Sequence, residues 1–405
     1  MKRFLFYFTL AVIISCKEKE RKGLRIQEGD GFLLSGPVYV DINRLGESIS
    51  ENSVLLQNGK PVPFQIKDEK GWFINNPREG NAYDIVEVSD GTKNLKASNI
   101  LKNNGNLQLL SGDRSFISYR YAMTYAPEGL DSTFKKSGYI HPIVTPKGDT
   151  LSRIQPPDHY HHYGLWGPWT HTRIDTTRVD FWNLGEGMGT VLFKAFSDTT
   201  TGDVFSSFTA SQEHIDFKTK ENPQVALNED LEVRLWNLNR ADRYMFDYTT
   251  SFTSPLKNGI LFEAYRYGGG IGMRFTERWK ADNCYVLTSE GKDRLTADGS
   301  NARWCIVGGE SADGKGTNGI LFMSHPENRM HPEPMRVWPI DANNGRGDMF
   351  FQFCPIRNAE WMIEPKQEYN LQYRMVVFEG DLKAEEAEAY WRSFAKPPEL
   401  EQIDN

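Results

Sequence analysis

A chain of 405 residues with 39% hydrophobic and 13% aromatic side chains has apolar material for a sizeable core and more than one domain, which excludes a globally disordered protein. The formal charge of −7 and pI near 5.7 argue against the basic face of a general nucleic-acid binder, so nucleic acid is not an expected partner. No run of about 20 apolar residues is present to cross a bilayer as a helix.

The chain opens MKRFLFYFTLAVIISC, with Lys2 and Arg3 before an apolar run from Phe4 to Ile14. That run fits the h-region of a secretion signal. Ser15–Cys16 at its end resembles a bacterial lipobox. Residues 1–16 are therefore expected to be a lipoprotein signal. Cys16 becomes the lipidated residue, and the outer-membrane anchor faces the cell surface or the periplasm. The charged residues 17–22, KEKERK, read as a solvated tether.

From residue 23 onward strand patterns dominate. Residues 37–41 (PVYVD), 61–66 (PVPFQI) and 84–88 (DIVEV) are rich in β-formers, with turn signals at Asn58–Gly59, Asp90–Gly91 and Asn104–Gly105. These predict a small N-terminal β domain over residues 23–105. A larger β unit over 106–400 holds every histidine. Its clearest strands are 231–238, 244–253 and 371–378, with a turn at Asp313–Gly314. The glycine-rich YGGGIGM at 267–273 is not a dinucleotide-binding GxGxxG and marks a bulge or a close backbone approach. One helix is predicted, over 382–395, with Leu382, Ala387, Tyr390, Trp391 and Phe394 on one apolar stripe. The fold class is all-β: a small N-terminal β domain, a large β-sandwich and a short C-terminal helix. Cys284, Cys305 and Cys354 match no zinc spacing; Cys305 and Cys354 sit in apolar strand-like runs, so free buried thiols are expected, with one disulfide and a leftover thiol as the alternative.

Residues 156–171, PPDHYHHYGLWGPWTH, hold four of the eight histidines. If 158–163 is extended, Tyr160 and His162 share one face, and His159, His161 and Tyr163 share the other. His141 in GYIHP, and His325, Arg329 and His331 in SHPENRMHP, supply further imidazoles and a cation. Three readings follow. In the first, His159 and His161 ligate a divalent metal, with Asp158 or Glu186 adding a carboxylate. In the second, no cofactor is needed and the segment performs acid–base chemistry: His162 with Tyr160 or Tyr163 moves protons, assisted by His141 and His171. Arg173, Arg178, Arg329 or Arg336 then stabilises a substrate carboxylate, and His325, His331 and Trp166 add binding contacts. This suits β-elimination next to a uronate carboxyl. In the third, tryptophans such as Trp166, Trp169, Trp182, Trp304, Trp338 and Trp361 stack on sugars without catalysis.

GYIHPIVTPKGDTL, PPDHYHHYGLWGPWTH, VDFWNLGEGMG, YGGGIGMRF, ARWCIVGG and GILFMSHPENRMHPEPMRVW, ending in YRMVVFEGD, resemble the PmoA-like or DUF6807 family over roughly residues 115–382. The resemblance implies a galactose-mutarotase-like β-sandwich in secreted or surface proteins of polysaccharide-degrading bacteria, with an oligosaccharide as substrate. The family's DHxHH pattern falls on Asp158, His159, His161 and His162, and its His-Pro elements on His141, His325 and His331. Tyr163 departs from the basic residue often found after the paired histidines. The expectation is a lyase or dehydratase acting on anionic, uronate-containing oligosaccharide. The alternatives are a mutarotase-like epimerase, a glycosidase using carboxylates such as Glu186 and Glu333, or a carbohydrate-binding lipoprotein.

Overall fold

The computed structural model describes residues 21–27, 29, 34–45, 49–50, 53–87 and 98–403. The expected leader with Cys16 and the Asp90–Gly91 turn lie outside these residues. Arg21 and Lys22, expected in the tether, already belong to strand Arg21–Ile26, which pairs with Ala82–Glu87.

The N-terminal unit has a five-stranded and a three-stranded antiparallel sheet. Alternating residues of its strands, including Leu24, Ile26, Val38, Leu55, Phe73 and Ile85, close its core. Asn58 and Gly59 take φ of 51° and 74°, as the Asn-Gly hairpin signal requires. Trp72 packs on Trp236 at 5.4 Å and Phe205 at 6.2 Å, which joins this unit to the larger one. Strand Leu400–Ile403, beyond the C-terminal helix, returns to pair with Arg21–Ile26. It satisfies backbone groups that would otherwise form a free sheet edge. Strand Ser98–Asn103 pairs with Asn106–Ser111 inside the larger unit, so the boundary expected at 105/106 falls within one hairpin.

The larger unit is a sandwich of nine-stranded and eight-stranded antiparallel sheets. The eight-stranded sheet contains the longest strands, among them Phe205–Asp216, Gln224–Trp236, Arg243–Thr253 and Tyr369–Glu379. Side chains alternate between its faces. Phe246, Tyr248, Met375 and Val377 point inward to meet Leu109, Ile140, Leu165, Met273 and Phe351 of the other sheet. Met245, Trp236, Val376 and Phe378 point outward and are covered by helix Ala384–Ala395 through Ala387, Tyr390 and Phe394. Among the described residues no helix is long and apolar enough to cross a membrane.

The nine-stranded sheet positions the site. Its strands Tyr139–Ile143, Leu165–Trp166 and Phe350–Phe353 also alternate, so Ile140, Leu165 and Phe351 enter the core. Tyr139, Trp166 and Phe350 emerge on the opposite face, where Tyr163, Trp182, Leu184 and Trp338 join them. This aromatic layer carries the histidine segment.

Candidate active site

Residues 156–162 fold as two successive turns and not as an extended strand. The His159 amide donates to the Pro156 carbonyl at 2.9 Å and the His162 amide to the His159 carbonyl at 3.0 Å. The Gln155 amide closes the loop on the His162 carbonyl at 2.8 Å. Period-two alternation therefore fails, and the two-faced arrangement expected from sequence is corrected. His159, His161 and His162 converge, with ring centroids 5.4, 4.7 and 4.8 Å apart. Tyr160 turns away and packs on Phe134 at 5.7 Å.

The three imidazoles differ in access. His162 is 1% exposed, enclosed by Phe350 at 5.2 Å and by Trp166, Trp182 and Trp338 at 5.6 to 5.7 Å. Burial, then His161 and Arg274, hold its pKa well below the ordinary value. The expected proton-transfer role for His162 is thus corrected: it is a floor residue without a surface to offer. Trp166, expected to bind substrate, is likewise buried in that floor. Tyr163 is fully buried; its hydroxyl donates to the Phe134 carbonyl and accepts from Gln155 Nε2 at 2.8 Å. Burial raises its pKa, and it faces no cleft. His161 and His159 keep access. Burial, with His159 and Arg274 nearby, lowers the His161 pKa to about 4, so it is neutral at pH 7. His159 is held by Asp158 through Nδ1 at 2.8 Å and leaves 30% of its side chain exposed.

Beneath Asp158 lies an ionic cluster. Arg274, fully buried, meets Asp158 at 2.8 Å and Asp348 at 3.3 Å, with Trp338 under its guanidinium at 4.6 Å. These contacts are ion pairs and not aligned hydrogen bonds. Arg346 bridges the same carboxylates at 3.1 and 2.6 Å, and Asn343 Nδ2 donates to both. Burial alone would raise the Asp158 carboxyl, but the His159 hydrogen bond and Arg274 hold it well below the usual carboxylate range. Asp158 therefore has little left to offer a metal. Among the described residues no group of three His, Cys, Asp or Glu side chains is placed to hold one. The metal pair expected at His159 and His161 lacks a third ligand.

The remaining candidates separate. His171 stacks on Tyr265 at 3.6 Å, and Tyr265 lies 6.0 Å from Tyr267, so His171 borders the same surface. His141 emerges from the nine-stranded sheet with Nδ1 on Ser152 Oγ at 2.8 Å; burial and Arg120 lower its pKa to about 4. Arg173 is occupied by Glu263 at 2.6 Å. Arg329 lies on Trp361 at 5.1 Å and lines a cleft of ≈ 750 Å³ with Glu327, Tyr369 and Gln372, a lining without a histidine. His325 packs on Phe394 at 5.1 Å and His331 on Trp391 at 5.9 Å, both on the C-terminal helix. That helix covers the eight-stranded sheet. The convergence of Arg329, His325 and His331 on the 159–162 cluster is corrected accordingly: His325 and His331 belong to the face covered by the helix, and Arg329 to the separate cleft at Trp361.

A family model described as a family of unknown function (DUF6807) matches residues 106–392. The chain belongs to the DUF6807 family. No curated protein matches it. Among solved structures this DUF6807 chain is similar to heparan sulfate lyase HepC from Pedobacter heparinus, at 10% identity and a TM-score of 0.34 over 74% of this chain and 38% of that one. It is similar to a galactose mutarotase-like protein from Lactobacillus casei, at 9% identity and TM-score 0.36 over 69% and 99%. It is also similar to an alpha-mannosidase from Enterococcus faecalis, at 9% identity and TM-score 0.39 over 95% and 46%. The DUF6807 chain thus spans less than half of the HepC and mannosidase chains, 38% and 46%, and no residue role is carried across from them.

Sequence reading of this DUF6807 protein missed Arg266, Tyr267 and Arg274 as side chains, although the glycine run pointed at them. Gly269 and Gly270 take φ of 64° and 61°, and a Cβ on Gly269 would meet Trp169 at 1.6 Å. The glycines thus seat the backbone between Tyr267 and Arg274 against the layer of the sheet. Arg266 is exposed, with its guanidinium 5.3 Å from the Tyr267 ring and no carboxylate partner among the described residues.

Three partly buried histidines predict a pH response of the DUF6807 fold. His161, His141 and His331 have folded pKa values lowered to about 4 from 6.5, chiefly by burial. The unfolded chain binds more protons in that window, so this stability is present above pH 6.5 and lost as pH falls through 4. Glu333, raised to about 7 from 4.5 by burial, acts oppositely, losing its contribution as pH rises through 7. Three groups outweigh one, so the melting temperature is expected to fall steadily from pH 6.5 to 4. A flat or rising profile in a thermal scan series contradicts the burial assignments.

Proposed function

We propose that this protein cleaves uronate-containing oligosaccharides by β-elimination. The observation that carries the reading is a neutral, partly exposed His161, fixed in a three-imidazole cluster and linked through Trp182 to Tyr267, whose ring lies 5.3 Å from the Arg266 guanidinium, unpaired among the described residues. Elimination needs a neutral base for the proton α to the carboxylate and a cation for the enediolate charge that develops. His161 supplies the base and Arg266 the cation. His159, oriented by Asp158, lines the approach. Trp182 and Trp338 are buried and back the two imidazoles from beneath.

The glycosidase alternative loses a carboxylate. Glu333 is fully buried, with Oε1 accepting from Ser324 and Asn328 and Oε2 from Tyr373. Glu186 is paired with Arg178 at 3.2 Å. A retaining or inverting pair needs both acids at one sugar.

Wild-type protein incubated with a panel of uronate oligosaccharides is expected to generate a conjugated double bond absorbing in the near-UV. Carboxyl-reduced versions of the same sugars should give none. Equal cleavage of both sets, without the new absorbance, sinks the proposal.

A further inference from the structure

Tyr267 stands one ring away from the histidine cluster. Trp338 lies 4.9 Å from His159, and its Nε1 donates to the Tyr267 hydroxyl at 3.0 Å. Trp182 lies 5.8 Å from His161 and 5.3 Å from Tyr267. The hydroxyl accepts a second hydrogen bond, from Arg336 Nη2, at 3.0 Å. Asp298 holds that arginine at 2.5 Å, and the guanidinium also sits 4.8 Å from the Tyr267 ring.

A phenol oxygen has two acceptor sites and one proton. Here both acceptor sites are used, one by a cation. The proton has no acceptor among the described residues, and Tyr267 is half-buried, with a side open to solvent. A hydroxyl held only as an acceptor is arranged to give its proton outward. Arg336 and Trp338 would stabilise the phenolate left behind. A tyrosine that merely capped the Trp338 indole would not need a buried guanidinium on the same oxygen.

We propose that Tyr267 is the catalytic acid that protonates the departing sugar oxygen, an assignment that rests on the elimination reading. His161 takes the proton from the carbon α to the carboxylate. That C–H electron pair forms the new C=C bond, the β C–O bond breaks, and its electron pair goes to the leaving oxygen. Tyr267 gives that oxygen its proton. The imidazolium then returns a proton to the phenolate through solvent, and the enzyme is regenerated without a co-reactant.

The test compares two probes on wild type and Tyr267→Phe: a uronate disaccharide, whose leaving alkoxide needs a proton, and a 4-deoxy-4-fluoro-uronate, whose leaving fluoride needs little help. Tyr267→Phe is expected to slow the disaccharide about 100-fold or more and the fluoro probe only a few-fold. Equal losses on both probes reduce Tyr267 to a structural role and overturn the proposal. An unchanged rate on both also overturns it, while leaving elimination standing. If wild type forms no unsaturated product from either probe, elimination and the Tyr267 assignment fall together. Should Tyr267→Phe fail to fold, Arg336→Gln is the second variant. It is expected to slow the disaccharide selectively, and equal losses again overturn the proposal.

Discussion

His161→Ala is expected to lower kcat on a uronate oligosaccharide by about two to four orders of magnitude with little change in melting temperature. That is the usual range for losing a general base. His161 is partly exposed and reaches its neighbours by ring contacts, so its removal opens no large cavity. His162→Ala is the contrast. It removes a fully enclosed ring from between Phe350, Trp182 and Trp338, so its first effect is on stability, at roughly 3 kcal/mol on the scale of buried aromatic truncations. Measuring kcat and melting temperature for both variants separates base from floor. A His161→Ala enzyme with wild-type kcat would remove His161 from the chemistry.

The second large effect is at Arg274. Arg274→Met keeps the apolar contact with Trp338 but leaves Asp158 and Asp348 without their buried cation. Removing one partner of a buried ion pair costs about 3–5 kcal/mol. Arg346, bound to both carboxylates, and Arg153, 3.9 Å from Asp348, offset part of this, so about 3 kcal/mol is expected in chemical denaturation. Activity should change too. Arg274 is one of the groups lowering the His161 pKa, so its loss moves the acid limb of the rate profile to higher pH. A variant as stable as wild type, with an unshifted acid limb, would show that the cluster neither supports the fold nor tunes the base.

Much of the fold was legible in the sequence because long strands carry their own period. Residues 244–253 and 371–378 alternate in sequence and pair directly, as Arg243–Thr253 and Tyr369–Glu379, in the eight-stranded sheet. The helix stripe of Ala387, Tyr390 and Phe394 was equally plain, since one surface buries it. The 156–171 segment was found by composition but misread in conformation. Pro156–Pro157 argued for an extended chain, whereas the carbonyls of Pro156 and His159 accept from amides three residues on and close two turns. A turn brings neighbouring histidines together where a strand would separate them. Arg336 and Trp338 were singled out separately, but Tyr267 and its meeting with them were beyond reach for another reason. Their meeting depends on the order of strands Ile271–Arg274, Phe350–Phe353 and Glu333–Val337 in the nine-stranded sheet, and no local pattern encodes that order. His325 and His331, although they sit in a histidine-rich motif, follow strand Thr317–Ser324 of the eight-stranded sheet and so meet the C-terminal helix instead.

The most direct test of elimination is to digest a uronate oligosaccharide in water labelled with heavy oxygen and weigh the products. Elimination predicts two fragments without the label, one of them lighter by one water than its hydrolytic counterpart. A fragment that carries the heavy oxygen at the cleaved position would contradict the account.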